Sequence, residues 1–382
     1  MKFHNLNFEF LKKIKIVFFF YVFVTVLASL HRVLIGKINN YLIFKLAFFN
    51  FISGKDLYVL YPGTHLDYYK YSPTFALLMA PIAILPNAVG VIVWNLLNVV
   101  PLFFAVKKLR LEEPQKALIC WIILIELITS IQNAQSNGLI AALIIFAFVS
   151  FENRKNFLAA LFIALATYIK IFGIVALVLF AFYPEKLKFV LYMVFWLIVL
   201  AIIPVVFVSV SQLEFLYGSW LSLITREFGP ARGFSVMGVL KYCFGLNIPN
   251  VIVQATGAIL LCLPILKFRA HNEQTFRYLF LSSLLIWIII FNHKAESPTY
   301  IIALTGVAIW YANQQATKIN LGLLLLTLIL TSLSPTDVFP KYIRTTFVWP
   351  YALKAVPCIL IWLKIEYQLL AAKTGNHEPY LF

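Results

Sequence analysis

The sequence predicts an all-α, polytopic membrane protein, and three observations predict it. Hydrophobic residues make up 62% of the 382 residues and charged residues only 12%, against about 45–50% and about 25% in soluble globular chains. Apolar runs approaching the ~20 residues of a spanning helix recur from one end of the chain to the other. The polar residues between them gather into three long stretches, 37–72, 211–250 and 334–347. A soluble fold and a disordered chain are both excluded.

Twelve apolar segments follow in order, at roughly 16–36, 87–106, 117–133, 137–151, 157–169, 171–183, 188–210, 251–266, 277–292, 298–312, 319–333 and 348–365. The first follows Lys12, Lys13 and Lys15 and runs into His31-Arg32 with no small-residue cleavage site, so it reads as an uncleaved span. The stretch from Ser72 to Pro86 is apolar but short, and Pro73, Pro81 and Pro86 punctuate it. It reads as a broken helix that re-enters the membrane without crossing. All of this forms one integral membrane domain, 1–382: a first outer loop with the re-entrant segment (36–86), middle spans with an outer loop (87–250), and C-terminal spans (251–382).

The charge balance, 31 Lys and Arg against 15 Asp and Glu, is a topology signal. With the Ser72–Pro86 stretch re-entrant and both termini inside, Lys2, the Lys107–Lys116 group, Arg154-Lys155, Lys186, Lys188 and the Lys267–Arg277 group all fall in short inner loops. So do Lys318, Lys364 and Lys373, as the positive-inside rule requires. Nucleic acid is not needed to account for the excess. The four cysteines show no metal or disulfide spacing.

This topology collects the polar chemistry on the outer face. In the first loop Tyr41, Phe44, Phe48 and Phe51 recur at helical spacing, which predicts a helix lying at the interface and ending near Gly54. Tyr58, Tyr61, Tyr68, Tyr69 and Tyr71 then form either an interfacial belt or a set of sugar-stacking faces. Asp56 and Asp67 are the acids of this loop; each is a candidate general base, and Asp56 after Gly54-Lys55 also suits a turn. Glu126 lies deep in the third segment, where a carboxyl is costly. Gln135 and Asn137 sit in a polar hinge whose amides suit hydroxyls or helix caps. Lys170 splits the run 157–183, so two short helices meeting there would present its ammonium to a cavity. Arg232, His293, Lys294 and Glu296 add outer-face charge, and such cations suit phosphate or snorkel to headgroups. No phosphate-loop, zinc-protease, nucleophile-elbow or dinucleotide signature is present.

Three stretches resemble glycosyltransferase family 87, the bacterial integral-membrane, mannosyltransferase-like group with a GT-C fold. They are Tyr41 to Tyr58 with Gly54-Lys55-Asp56-Leu57-Tyr58; Tyr71-Ser72-Pro73 through Pro86 to Trp94-Asn95-Leu96-Leu97-Asn98; and Gln135-Ser136-Asn137 followed by Ala166-Thr167-Tyr168-Ile169-Lys170. The resemblance implies a polyprenyl-phosphate-linked hexose donor used at the outer face of the bacterial cytoplasmic membrane. It further implies a lipid-linked or cell-envelope glycan acceptor and an inverting transfer, with no metal or cofactor. Lys170 matches the family's lysine after the fifth apolar segment. Where the family places the acid that opens the first loop, this chain has Asn40, and an amide cannot accept a proton as a carboxylate does. Asp67, Asp56 and Glu296 are the acids that remain for the role. Two other readings stay open: a transporter or flippase of polyprenyl-linked glycans, and a family member without activity.

Overall fold

The computed structural model describes residues 12–227 and 232–372; Lys2 and Lys373, counted in the charge pattern, lie outside them. Among the described residues there are helices and loops and no strand. The helices are α1 Ile14–Leu34, α2 Asn39–Ile52, α3 Pro73–Leu78, α4 Ala80–Ala83, α5 Asn87–Lys108, α6 Glu113–Gln132, α7 Asn137–Glu152, α8 Asn156–Ile169, α9 Lys186–Ile202 and α10 Val210–Glu227. They continue with α11 Val236–Phe244, α12 Asn250–Cys262, α13 Gln274–Ile290, α14 Tyr300–Ala312, α15 Lys318–Leu326, α16 Lys341–Ile343 and α17 Val356–Ala371. Helix covers most of each of the twelve apolar segments. Among the described residues four helices are long and apolar enough to cross a membrane, Ile14–Leu34, Asn87–Lys108, Glu113–Gln132 and Lys186–Val206. The pair Lys341–Val348 and Leu353–Ala371, bent by 82°, is a fifth if counted as one span. The remaining apolar helices are shorter, 10–17 residues.

The chain divides into two compact units. Unit 1 holds residues 1–177 and 187–230, and unit 2 holds 178–186 and 231–382. In unit 1, α1 packs on α5 and α6, α5 on α7, and α7 on α8. Local chemistry sets the boundaries. The Glu112 side chain and Gln115 close a capping box at the start of α6, with Gln115 Oε1 accepting from Glu112 N at 2.9 Å. Ser72 caps α3 by accepting from Phe75 N at 3.1 Å, and Pro73 occupies the first helical position. From Pro73 to Ala83 a helical path rises only about 16 Å, half the ~30 Å of a hydrocarbon core, so α3 and α4 cannot cross as helix.

The predicted break at Lys170 is present. α8 stops at Ile169, Lys170 is extended (φ −140°, ψ 122°), and a 3₁₀ helix runs over Ile171–Phe182. The predicted helix at the start of the first loop also forms and ends before Gly54, whose φ of +69° is left-handed. Its aromatic stripe differs from expectation. Tyr41, Phe44, Phe48 and Phe51 are buried in protein rather than turned to the bilayer, because α2 packs on α3 and α4. Phe44 meets Tyr71, Phe75 and Trp94 with ring centroids 4.9, 5.6 and 5.4 Å away. Protein rings fill that face as well as lipid would and add edge-to-face geometry.

In unit 2, α13 packs on α14 and α17, and α11 and α12 lean on this group. Ser235 caps the start of α11, and Gly245 (φ +70°) ends it.

Candidate functional site

In unit 1 the break after α8 places the Lys170 ammonium among amides. Its Nζ donates to Asn137 Oδ1 at 2.7 Å and to Gln135 Oε1 at 3.4 Å. Asn137, itself buried, donates to the same Gln135 Oε1 at 2.8 Å. The ammonium also lies over the Tyr71 ring at 5.8 Å and the Phe172 ring at 5.7 Å. The amide oxygens orient the cation without carrying a formal charge that would cancel it. The structure therefore brings together four of the residues singled out from sequence: Lys170, Gln135, Asn137 and Tyr71.

The hinge bearing these amides is held open by close packing. A Cβ on Gly138 would lie 2.9 Å from the Asn98 carbonyl oxygen, and Asn98 Oδ1 accepts from Leu139 N at 3.1 Å. Trp94 Nε1 donates to the carbonyl of Ala134 at 2.8 Å, and Ala134 itself is left-handed (φ 47°). Only a turn this tight brings Asn133, Gln135 and Asn137 to one place.

Asn40 joins the same hinge. Its Nδ2 donates to the Asn133 carbonyl at 2.8 Å. One residue earlier, Asn39 Oδ1 accepts from Leu66 N at 2.9 Å. The two asparagines thus tie the loop that carries Asp67 to the hinge that holds Lys170. Asp67 is exposed, pairs with Lys70 (3.2 Å), and accepts from Tyr68 N at 2.7 Å. An exposed pair of this kind is worth about 0–1 kcal/mol and opens readily.

Asp56 is held differently. Both of its carboxylate oxygens lie 2.9 Å from Ser219 Oγ, and Oδ1 also accepts from Tyr58 N at 3.0 Å. This is the turn chemistry anticipated from Gly54-Lys55, locked by a partner from α10 that the sequence did not reveal: an ordinary serine in an aromatic stretch. Tyr58 and Tyr69 are buried and donate to the carbonyls of Tyr71 and Ser72 at 3.0 and 2.8 Å. Burial, with neighbouring tyrosines next in effect, pushes both phenols well above their ordinary range. They remain donors that pin the approach to α3. Glu126 is fully buried in α6.

In unit 2, Arg232 and Glu296 line one open groove of about 610 Å³. Two backbone bonds join its strands of chain, Gly233 N to the His293 carbonyl at 2.9 Å and Phe234 N to the Ala295 carbonyl at 3.0 Å. Burial first, and Lys294 second, hold the His293 imidazole below its usual range. His293 and Lys294 are not among the groove's lining residues; His293 faces Gln254 Nε2 at 3.5 Å.

No curated protein matches the chain. A family model does: glycosyltransferase family 87 matches residues 69–291, a span that takes in Tyr71, the amide hinge, Lys170 and Arg232. The chain is an all-helical, multi-pass membrane protein and a glycosyltransferase, and it belongs to glycosyltransferase family 87.

Proposed function

We propose that the protein moves a mannose-like hexose from a polyprenyl-phosphate donor to a lipid-linked or cell-envelope glycan, with inversion, at the outer face of the bacterial cytoplasmic membrane. In this reading the chain is one integral membrane domain of about twelve spans, with both ends inside and α2 to α4 in its first outer loop. The observation that carries the proposal is the pairing of an amide-held Lys170 with an acid-bearing loop tied to the same hinge through Asn39 and Asn40.

The Asp67 carboxylate takes the proton of the acceptor hydroxyl as that oxygen attacks the anomeric carbon. The bond from this carbon to the donor phosphate oxygen breaks, and its electron pair leaves on the phosphate. The Lys170 ammonium offsets the charge developing there. Tyr71 supplies a ring face beside the sugar, and Gln135 and Asn137 supply amides for orientation. Asp56, held by Ser219 and Tyr58, keeps the loop in shape.

The test is a transfer assay in membranes with a panel of radiolabelled polyprenyl-phosphate sugars. Product formation that disappears in Lys170→Ala and Asp67→Asn supports the reading. Absence of transfer with every donor points to an inactive member, with Asn40 in the acid's position as its cause. Movement of intact lipid-linked glycan across vesicles without new glycosidic bonds points to a flippase.

A further inference from the structure

The break that presents Lys170 is pinned by a residue outside the amide hinge. A helix continued past Ile169 would bond the Tyr168 carbonyl to the backbone N–H of residue 172. The extended backbone at Lys170 (φ −140°, ψ 122°) rules that bond out. The Ser72 hydroxyl takes its place, donating to the Tyr168 carbonyl at 2.5 Å from a position 96 residues away in the chain. After the break the chain lies against the last turn of α8. Gly173 N donates to the Lys170 carbonyl at 2.8 Å, and a Cβ on Gly173 would lie 2.7 Å from the Ala166 carbonyl oxygen. The backbone at Lys170 is thus held from both sides.

Ser72 is fully buried, and its hydroxyl is used twice. Oγ accepts from Phe75 N at 3.1 Å to cap α3, while its single proton goes to the Tyr168 carbonyl. Its own carbonyl accepts from Tyr69 Oη at 2.8 Å, which fixes the backbone at this point. The preceding residue, Tyr71, carries the ring that lies 5.8 Å from the Lys170 ammonium. That ring packs on Phe75 and Phe44 with centroids 5.0 and 4.9 Å away. One serine therefore sits beside the ring on one side of the contact. On the other side it grips the backbone two residues before the cation. A lysine stem is flexible, so where its ammonium rests depends on where that backbone stands.

We propose that Ser72 is a positioning residue for the Lys170 ammonium. Its hydroxyl holds the end of α8 in register with Tyr71 and the amide hinge, and it governs phosphate affinity through Lys170 without touching the donor. The inference rests on the donor-phosphate role proposed for Lys170.

Equilibrium binding to the full chain in a non-ionic detergent tests it, with radiolabelled polyprenyl phosphate as the probe and phosphate-free polyprenol as its reference. The readout is the ratio of the two affinities, which the amount of folded protein does not change. Ser72→Ala should lower the preference for phosphate about three- to tenfold, the fold-change of one neutral hydrogen bond. Ser72→Gly should lower it as much, although glycine keeps most of the capping of α3, and it carries the test if the alanine variant does not fold. In a Lys170→Ala background neither change should lower the preference further by more than about twofold. A loss at Ser72 that multiplies with that of Lys170→Ala marks a general packing role and overturns the proposal. So does an unchanged preference in Ser72→Gly while Lys170→Ala loses it; the donor reading of Lys170 then stands and this inference alone falls. An unchanged preference in Lys170→Ala removes the donor reading itself, and this inference with it.

Discussion

At the scale of single residues, charge and proton capacity divide the labour. Lys170 is the only one of its group that carries a full charge; Gln135, Asn137 and Tyr71 only aim it. Lys170→Ala should raise the apparent Michaelis constant for donor by about ten- to a hundredfold, the worth of a charged hydrogen bond, while the protein still inserts. An unchanged donor constant removes the role. Asp67→Asn should cut turnover by about 10²–10⁴-fold with donor binding little altered, because the carboxylate acts on the acceptor. If Asp67→Asn is near normal and Glu296→Gln is inactive, the base comes from the loop at 293–297. Asp56→Asn should behave otherwise. Its carboxylate accepts from Ser219 and Tyr58, so the change should lower the thermal unfolding midpoint by the equivalent of about 1–2 kcal/mol. Its effect on turnover should follow that loss of folded protein.

At the scale of elements, helix contacts are so close that glycine decides them. A Cβ on Gly90 would lie 1.8 Å from Tyr41 Oη and 3.3 Å from the Ile82 carbonyl oxygen. Tyr41 cannot swing away freely, since it is buried and its hydroxyl donates to Ile82 O at 3.3 Å. Gly90→Ala should therefore push α2 from α5 and destabilise by about 1–3 kcal/mol, read as a lower unfolding temperature in detergent. An unchanged midpoint would show that α2 yields at no cost. Helix existence was legible in the sequence because apolar runs and proline punctuation are local signals. The break at Lys170 was legible for the same reason: a lone cation in an apolar run must escape lipid. The direction of the α2 aromatic stripe was not, because a ring faces protein or lipid with the same periodicity. Nor was the bond from Ser219 to Asp56, which joins residues 163 positions apart and has no spacing rule behind it.

At the scale of the whole molecule, the chain builds its two compact units discontinuously: residues 178–186 belong to unit 2 while 187–230 belong to unit 1. Composition does not announce this change of allegiance, since the apolar pattern continues through it. Only the tertiary contacts do. The charge pattern makes a separate prediction, that Lys55 and Lys108 lie on opposite sides of the membrane. With single cysteines at these positions in an otherwise cysteine-free chain, an impermeant thiol reagent added outside should label position 55 and spare position 108. Labelling of both would mean that the stretch from Pro73 to Pro86 is not re-entrant.

The Asn40 contact limits what can stand at that position. An aspartate there would present oxygens, not an N–H, to the Asn133 carbonyl that Asn40 now grips at 2.8 Å. Two acceptors would repel, and the rivet between the first loop and the amide hinge would become a wedge. Asn40→Asp alone should lower turnover. Recovery would require a second change that brings a donor to the Asn133 carbonyl, so the contact at position 40 and the loop it tethers are coupled: neither can be altered without compensation in the other.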